Sequence, residues 1–198
     1  MATLLIPKGN VCVHRLSWIT ALGGTDPQID RIGRCVLAEV PDIALASVSA
    51  RRGRENVTAA LLENLISAPP PGPGAAAGAG DVTAFWVGPQ QWMVTAPLDS
   101  HEVLLDQLMA EFTGKASVTE QTGAWVQFDL SGEAVLDVLE RLCALPVRNM
   151  VPDMANRTRI EHLGCFVICK AGCFSILGPR SSAASLHHTL VSAMASVG

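Results

Sequence analysis

WMVTAPLDSHEVLLDQLMAEF, from Trp92 to Phe112, aligns without a gap on FSILGPRSSAASLHHTLVSAM, from Phe174 to Met194. In each stretch an apolar strand ends in a proline, Pro97 or Pro179, and a helix follows whose apolar residues recur about one turn apart. Upstream, LENLI (Leu62 to Ile66) falls against LERLC (Leu139 to Cys143) at nearly the same offset. The chain therefore reads as two copies of one supersecondary unit. Neither copy is large enough to close its own core, so the two are expected to pack face to face as one domain.

Working outward, IALASVSA from Ile43 alternates as a strand, and GRENVTAALLENLI follows as an amphipathic helix. VTAFWVG and WMVTA make a strand pair turned at Gly88-Pro89, and a helix from Ser100 closes the unit. The second copy opens on ASVTEQTGAWVQFDLSG, a strand segment with a turn at Thr122-Gly123, followed by the helix EAVLDVLERLC. TRIEHLGCFVICKAGCFSIL is a strand pair turned at Ala171-Gly172, and SSAASLHHTLVSAM is the last helix. The sum is an α+β fold of duplicated βαββα units, antiparallel sheets with helices packed on them. The predicted boundaries are an N-terminal arm over 1–41 and a single domain over 42–198, its units being 42–116 and 117–198. APPPGPGAAAGAG, within 68–80, is a low-complexity Pro/Gly/Ala stretch, expected as a mobile loop inside the first unit.

Apolar residues are 49% of the 198 and charged ones only 16%, against roughly 25% in an ordinary soluble domain. So little charge leaves a free monomer short of solubility, and the expectation is that partner chains cover much of the exterior. A net charge of −4 gives no footprint for nucleic acid; the knot Arg51, Arg52, Arg54 reads as a solvated bend before a helix. MATLLIPKGN lacks the apolar run of a secretory signal, and no stretch reaches the length of a membrane span. A cytoplasmic protein with reduced thiols is expected, with Cys12, Cys35 and Cys143 as small buried hydrophobes.

Cys165, Cys169 and Cys173 form a C-x3-C-x3-C row with His162 just ahead, which raises zinc or an iron–sulfur cluster. The spacing argues against it. Cys165 and Cys169 lie about 13 Å apart along one strand at ~3.3 Å per residue, and Cys173 belongs to the returning strand. His187 and His188 point about 100° apart on their helix, so a polar helix edge is the simpler reading. His14 and His101 have no acidic or thiol neighbour in sequence. Trp86 and Trp92 could stack on a flat cofactor, although core or interface positions suit them better. No G-x-S-x-G, H-E-x-x-H, P-loop or dinucleotide fingerprint is present, so no catalytic, cofactor-binding or metal residue is assigned.

SVSARRG (Ser47 to Gly53), FWVGPQQWMV (Phe85 to Val94), VTEQTGAWVQFDLSG (Val118 to Gly132), RTRIEHLGCFVI (Arg157 to Ile168) and GPRSSAASLHHTL (Gly178 to Leu190), in that order and spacing, resemble the gamma subunit of heterotetrameric sarcosine oxidase. The resemblance covers about Asp42 to Ala195. It implies a complex with alpha, beta and delta chains that oxidises sarcosine to glycine. FAD, FMN, NAD and tetrahydrofolate would sit on the alpha and beta chains and zinc on delta, with no catalytic residue on gamma. It implies also the fold of the folate-binding aminomethyltransferases, without their C-terminal barrel. Two rival readings follow: the matching subunit of an N-methylglutamate dehydrogenase-type complex, or a free-standing folate-binding one-carbon transfer protein. Against the latter, the aminomethyltransferases end a strand in Asn plus a small residue before an acid on the next helix. Thr95 stands here in place of the Asn, with only Asp99 or Glu102 as the acid. Trp86 and Leu186 are the expected contacts to partner chains.

Overall fold

In the computed structural model, which describes residues 18–197, the chain opens on β1 (Ile29–Ile32) and β2 (Cys35–Glu39). The first unit is β3 (Ile43–Ala50), α1 (Glu55–Ile66), β4 (Ala76–Ala77), β5 (Thr83–Gly88), β6 (Gln91–Pro97) and α2 (Leu104–Glu111). The second is β7 (Ala116–Glu120), β8 (Trp125–Gly132), α3 (Val135–Leu142), β9 (Ala155–Ile160), β10 (Leu163–Lys170), β11 (Cys173–Pro179) and α4 (Ala183–Val197). Cys12, His14 and the start of the expected arm lie outside the described residues.

All pairing is antiparallel, in a five-stranded sheet β4-β5-β6-β3-β7 and a six-stranded sheet β1-β2-β8-β11-β10-β9. The duplication holds at the level of register. Ile43 faces Pro97 in the first unit, and their aligned counterparts Trp125 and Pro179 face each other in the second. The strand before each unit's central strand goes to the opposite sheet. β7 precedes β8 but pairs with β3, while β2 precedes β3 but pairs with β8. This reciprocal exchange ties the copies into one body, because neither sheet is complete without a strand from the other half.

The layers run helix, sheet, sheet, helix. Leu104, Leu108 and Phe112 pack with Leu62, Ile66 and Val94 on the outer face of the five-stranded sheet. Leu186, Leu190 and Met194, their aligned counterparts, pack with Val138, Phe128 and Ile176 on the outer face of the six-stranded sheet. Between the sheets lies a third cluster of Leu45, Phe85, Met93, Phe166, Ile168 and Leu177. Each central strand is thus covered on both faces, the two-sheet solution to burying an alternating strand. Gly178 lets α4 settle on β11: a Cβ there would strike Leu186 Cδ2.

Four expectations change. Residues 29–39, inside the predicted arm, form a hairpin on the edge of the six-stranded sheet; strands this short around a Gly33-Arg34 turn carry too little periodicity to be read. Buried Glu39 fixes the chain before it, accepting from Leu22 N at 3.1 Å and Gln28 N at 3.2 Å. The Pro/Gly/Ala stretch is a seam, not a free loop: Ala76 N donates to Asp153 O, Ala155 N to Gly74 O, and Trp92 Nε1 to Pro71 O. Gly74, at φ +75°, has the conformation that this seam needs and few other residues adopt. ANRTRI forms a third strand, β9, split from β10 by a tight turn at Glu161-His162. Leu186 is fully buried, so it is a core residue and not a partner contact.

Candidate functional site

The layer between the sheets has a closed end and an open one. At the closed end Phe166 lies 5.0 Å from Phe85 and 5.5 Å from Trp125, ring centre to ring centre, with both pairs tilted. The Arg157 guanidinium stands 5.9 Å over the Phe166 ring. At the open end the sheets part into a cleft of about 320 Å³, walled by Ile43, Phe85, Ile168 and Leu177. Its polar lining is Asp42, Asp81, Thr83, Thr95, Gln127, Asp129 and Lys170.

Asp129 is the centre of a built network. Its Oδ1 accepts from Ser175 Oγ at 2.6 Å and from Gln127 Nε2 at 2.8 Å. Ser175 is fully buried and Gln127 only 6% exposed, so both donors are held by packing. A carboxylate accepts and cannot donate, which fixes the Gln127 amide with its nitrogen toward Asp129. Its oxygen takes no hydrogen bond among the described residues. On the other side of the carboxylate, Lys170 Nζ stands 3.9 Å from Oδ2, beyond hydrogen-bond reach. The arrangement leaves two acceptors, Gln127 Oε1 and Asp129 Oδ2, without a close donor.

None of this was assigned from the sequence. In VQFDL the polar residues alternate with apolar ones, as on a strand with one wet face, and only the second sheet makes that face an interior. A signal existed in the duplication: Gln127 aligns with Leu45, Asp129 with Ser47 and Ser175 with Met93, so polar groups stand where the sister copy is less polar.

The residues weighed earlier fall elsewhere. Asp99 and Glu102 are exposed in the turns before α2, away from the cleft; Thr95 alone of that set reaches it. Cys165 and Cys169 face the α3/α4 core, and Cys173 is half-buried on the next strand. Burial pushes the Cys165 thiol up to about 11, and the Cys35, Cys169 and Cys173 thiols upward for the same reason. Among the described residues no three acidic, His or Cys groups gather closely enough to hold a metal ion. His187 Nε2 meets Asp30 Oδ2 at 2.7 Å and ties α4 to β1, whereas His188 is exposed. His162 sits exposed at the β9–β10 turn, and His101 contacts Ser100 Oγ at 3.0 Å. Trp86 and Trp92 are direct cross-strand partners, Trp92 in the core under α1 and α2 and Trp86 half-buried. Arg51, Arg52 and Arg54 are exposed in the turn before α1.

The layered pair of exchanged units resembles in fold two solved structures. Glycine cleavage system aminomethyltransferase T from Bartonella henselae superposes with a TM-score of 0.61 over 81% of this chain, at 14% identity. The match takes in just under half, 46%, of that longer protein. Heterotetrameric sarcosine oxidase from Corynebacterium sp. U-96 superposes with a TM-score of 0.73 at 20% identity, over 86% of this chain and 88% of the matching one. No protein-family model matches the sequence, and no curated protein matches it. At these identities the likeness establishes the fold alone: α+β, with two antiparallel sheets, four α-helices and no closed barrel among the described residues. Among the described residues no helix is long and apolar enough to cross a membrane.

Proposed function

We propose that this chain is a gamma-type subunit of a heterotetrameric sarcosine oxidase complex, with alpha, beta and delta chains as partners. Its work is positional: it covers apolar surface of its partners and holds their reactive regions in register. FAD, FMN, NAD, tetrahydrofolate and zinc belong, in this reading, to the other chains, and the complex is cytoplasmic. The carrying observation is coverage. The match to the sarcosine oxidase chain takes in nearly all of both chains, as expected of one subunit standing for another. Exposed apolar side chains on the α1/α2 side, Val57, Val103 and Met109, together with Trp18 and Ile19 ahead of β1 and Ile29 on it, support a covered exterior. Exposed Asp99 and Glu102, with Thr95 in the Asn position, speak against independent folate chemistry.

The test is co-expression with candidate alpha, beta and delta chains, followed by light scattering and sarcosine-dependent oxygen consumption. A four-chain complex that falls apart without this chain is expected. Met109→Asp should weaken assembly while the free chain keeps its fold. Oxidation of N-methylglutamate in place of sarcosine would move the chain to the dehydrogenase-type complex. The aminomethyltransferase likeness favours one rival, and a stable monomer whose melting temperature rises with tetrahydrofolate would establish that rival instead.

A further inference from the structure

We propose that the inter-sheet cleft is a small-molecule site of this chain's own, taking an organic amine in its ammonium form with an apolar body. The inference does not depend on the assembly reading above.

Three features of the cleft converge. The first is a pair of free acceptors on neighbouring lining residues, Gln127 Oε1 and Asp129 Oδ2, neither with a protein donor within hydrogen-bond distance among the described residues. Asp129 Oδ1 is already saturated by Ser175 and Gln127, so the carboxylate is locked in orientation before any ligand arrives. The second is charge. The exposed Asp42 and Asp81 and the part-buried Asp129 line the cleft against a single lining cation, Lys170, whose side chain is 46% exposed. Two of the three carboxylates therefore have no ammonium within the cleft to balance them, and a cationic guest is favoured over an anionic one. The carboxylates do not gather as a metal-ligand set, which points to a molecule and not to a bare ion. The third is shape. A volume of about 320 Å³ falls at the lower end of the ~300–1,000 Å³ of small-molecule pockets, and Phe85, Ile43, Ile168 and Leu177 offer an apolar wall.

The duplication separates this cleft from a packing defect. At its other end the same layer packs Met93, Trp125 and Phe166 beside a groove of about 250 Å³, with no Ser–Gln–Asp network, so the fold does not require one. A chain that keeps such a network, with Ser175 and Gln127 buried and Asp129 part-buried, gives up apolar packing for it.

The experiment is calorimetric titration of the full chain, or of the complex with which it co-purifies, using benzylamine, with benzyl alcohol and benzoate as neutral and anionic controls. Benzylamine is expected to bind with Kd near or below about 1 mM, and both controls to fail. Asp129→Asn should weaken amine binding by roughly tenfold or more, the scale of losing one charge-assisted bond. Lys170→Ala removes the competing ammonium from an exposed position and should tighten binding severalfold; it keeps the test decisive if the Asn variant does not fold. Equal binding of benzylamine and benzyl alcohol, no heat from the amine, or unchanged affinity in Lys170→Ala would each overturn the proposal.

Discussion

At one end of the inter-sheet layer Phe166 packs between Phe85 and Trp125, with Met93 beside them; at the other, the positions related by duplication hold Ile43, Thr83 and the Ser175–Gln127–Asp129 network. The backbone pairing is the same at both ends, since β3 meets β6 in the register in which β8 meets β11. Register and layer order therefore belong to the fold, and the chemistry of the open end does not. The outer faces tell the opposite story. Leu104, Leu108 and Phe112 match Leu186, Leu190 and Met194 in both place and burial, because each helix must cover one sheet face in either copy. Where the two copies agree, packing decides; where they differ, the fold has been relieved of a constraint.

The largest expected effect tests whether the two halves are one body. Leu104→Ala and Leu186→Ala should each cost about 2–5 kcal/mol, the range for a buried leucine truncated in a closed core. Both should lower the midpoint of a single unfolding transition, because β2 and β7 are exchanged between the sheets. Denaturant unfolding followed by near-UV and far-UV signals checks this. Two separate transitions, with each variant shifting only one, would break the comparison into two independent domains.

A smaller effect sharpens the difference between the halves through pH. Cys165 stands, by strand register, where the first unit has Val82. Burial raises its thiol from 9.0 to about 11, so the folded chain holds that proton more tightly than the unfolded one. Stability from this site is complete below pH 9 and is lost as pH rises toward 11, on the order of 1 kcal/mol by pH 10. Cys165→Val should flatten that part of the stability–pH curve while leaving neutral stability close to wild type. An unchanged alkaline slope would show that the loss arises elsewhere.

Most of the architecture was legible because it rests on periodicity that repeats: β3, β6, β8 and the helices fall within a few residues of their sequence boundaries. What was hidden depends on partners far along the chain. The strand exchange cannot be read from ASVTEQTGAWVQFDLSG, since nothing local sends β7 to one sheet and β8 to the other. The seam through Gly74 and Ala76 looked like low complexity because its order comes from backbone pairing with β5 and with Asp153 and Ala155, not from its own side chains. The open cleft was missed for a related reason. Gln127 and Asp129 have the pattern of a wet strand face, and their meaning changes only when a second sheet lies over them.

The last prediction asks whether that polar end can be removed by copying the sister unit. Gln127→Leu, Asp129→Ser and Ser175→Met, made together, install the residues of the aligned positions Leu45, Ser47 and Met93. Single changes strand partners: without Ser175 or Gln127, Asp129 Oδ1 loses one of its two protein donors. The triple change removes all three groups at once, and coupled residues of this kind do not add. The net change in stability should therefore be within about 1 kcal/mol, because the desolvation released from the carboxylate offsets imperfect packing of the new methionine. Amine binding should vanish in the same variant. Wild-type melting with binding lost would place the polar end outside the requirements of the fold. A loss above about 3 kcal/mol would make the network a structural strut and the comparison between the two ends one of packing alone.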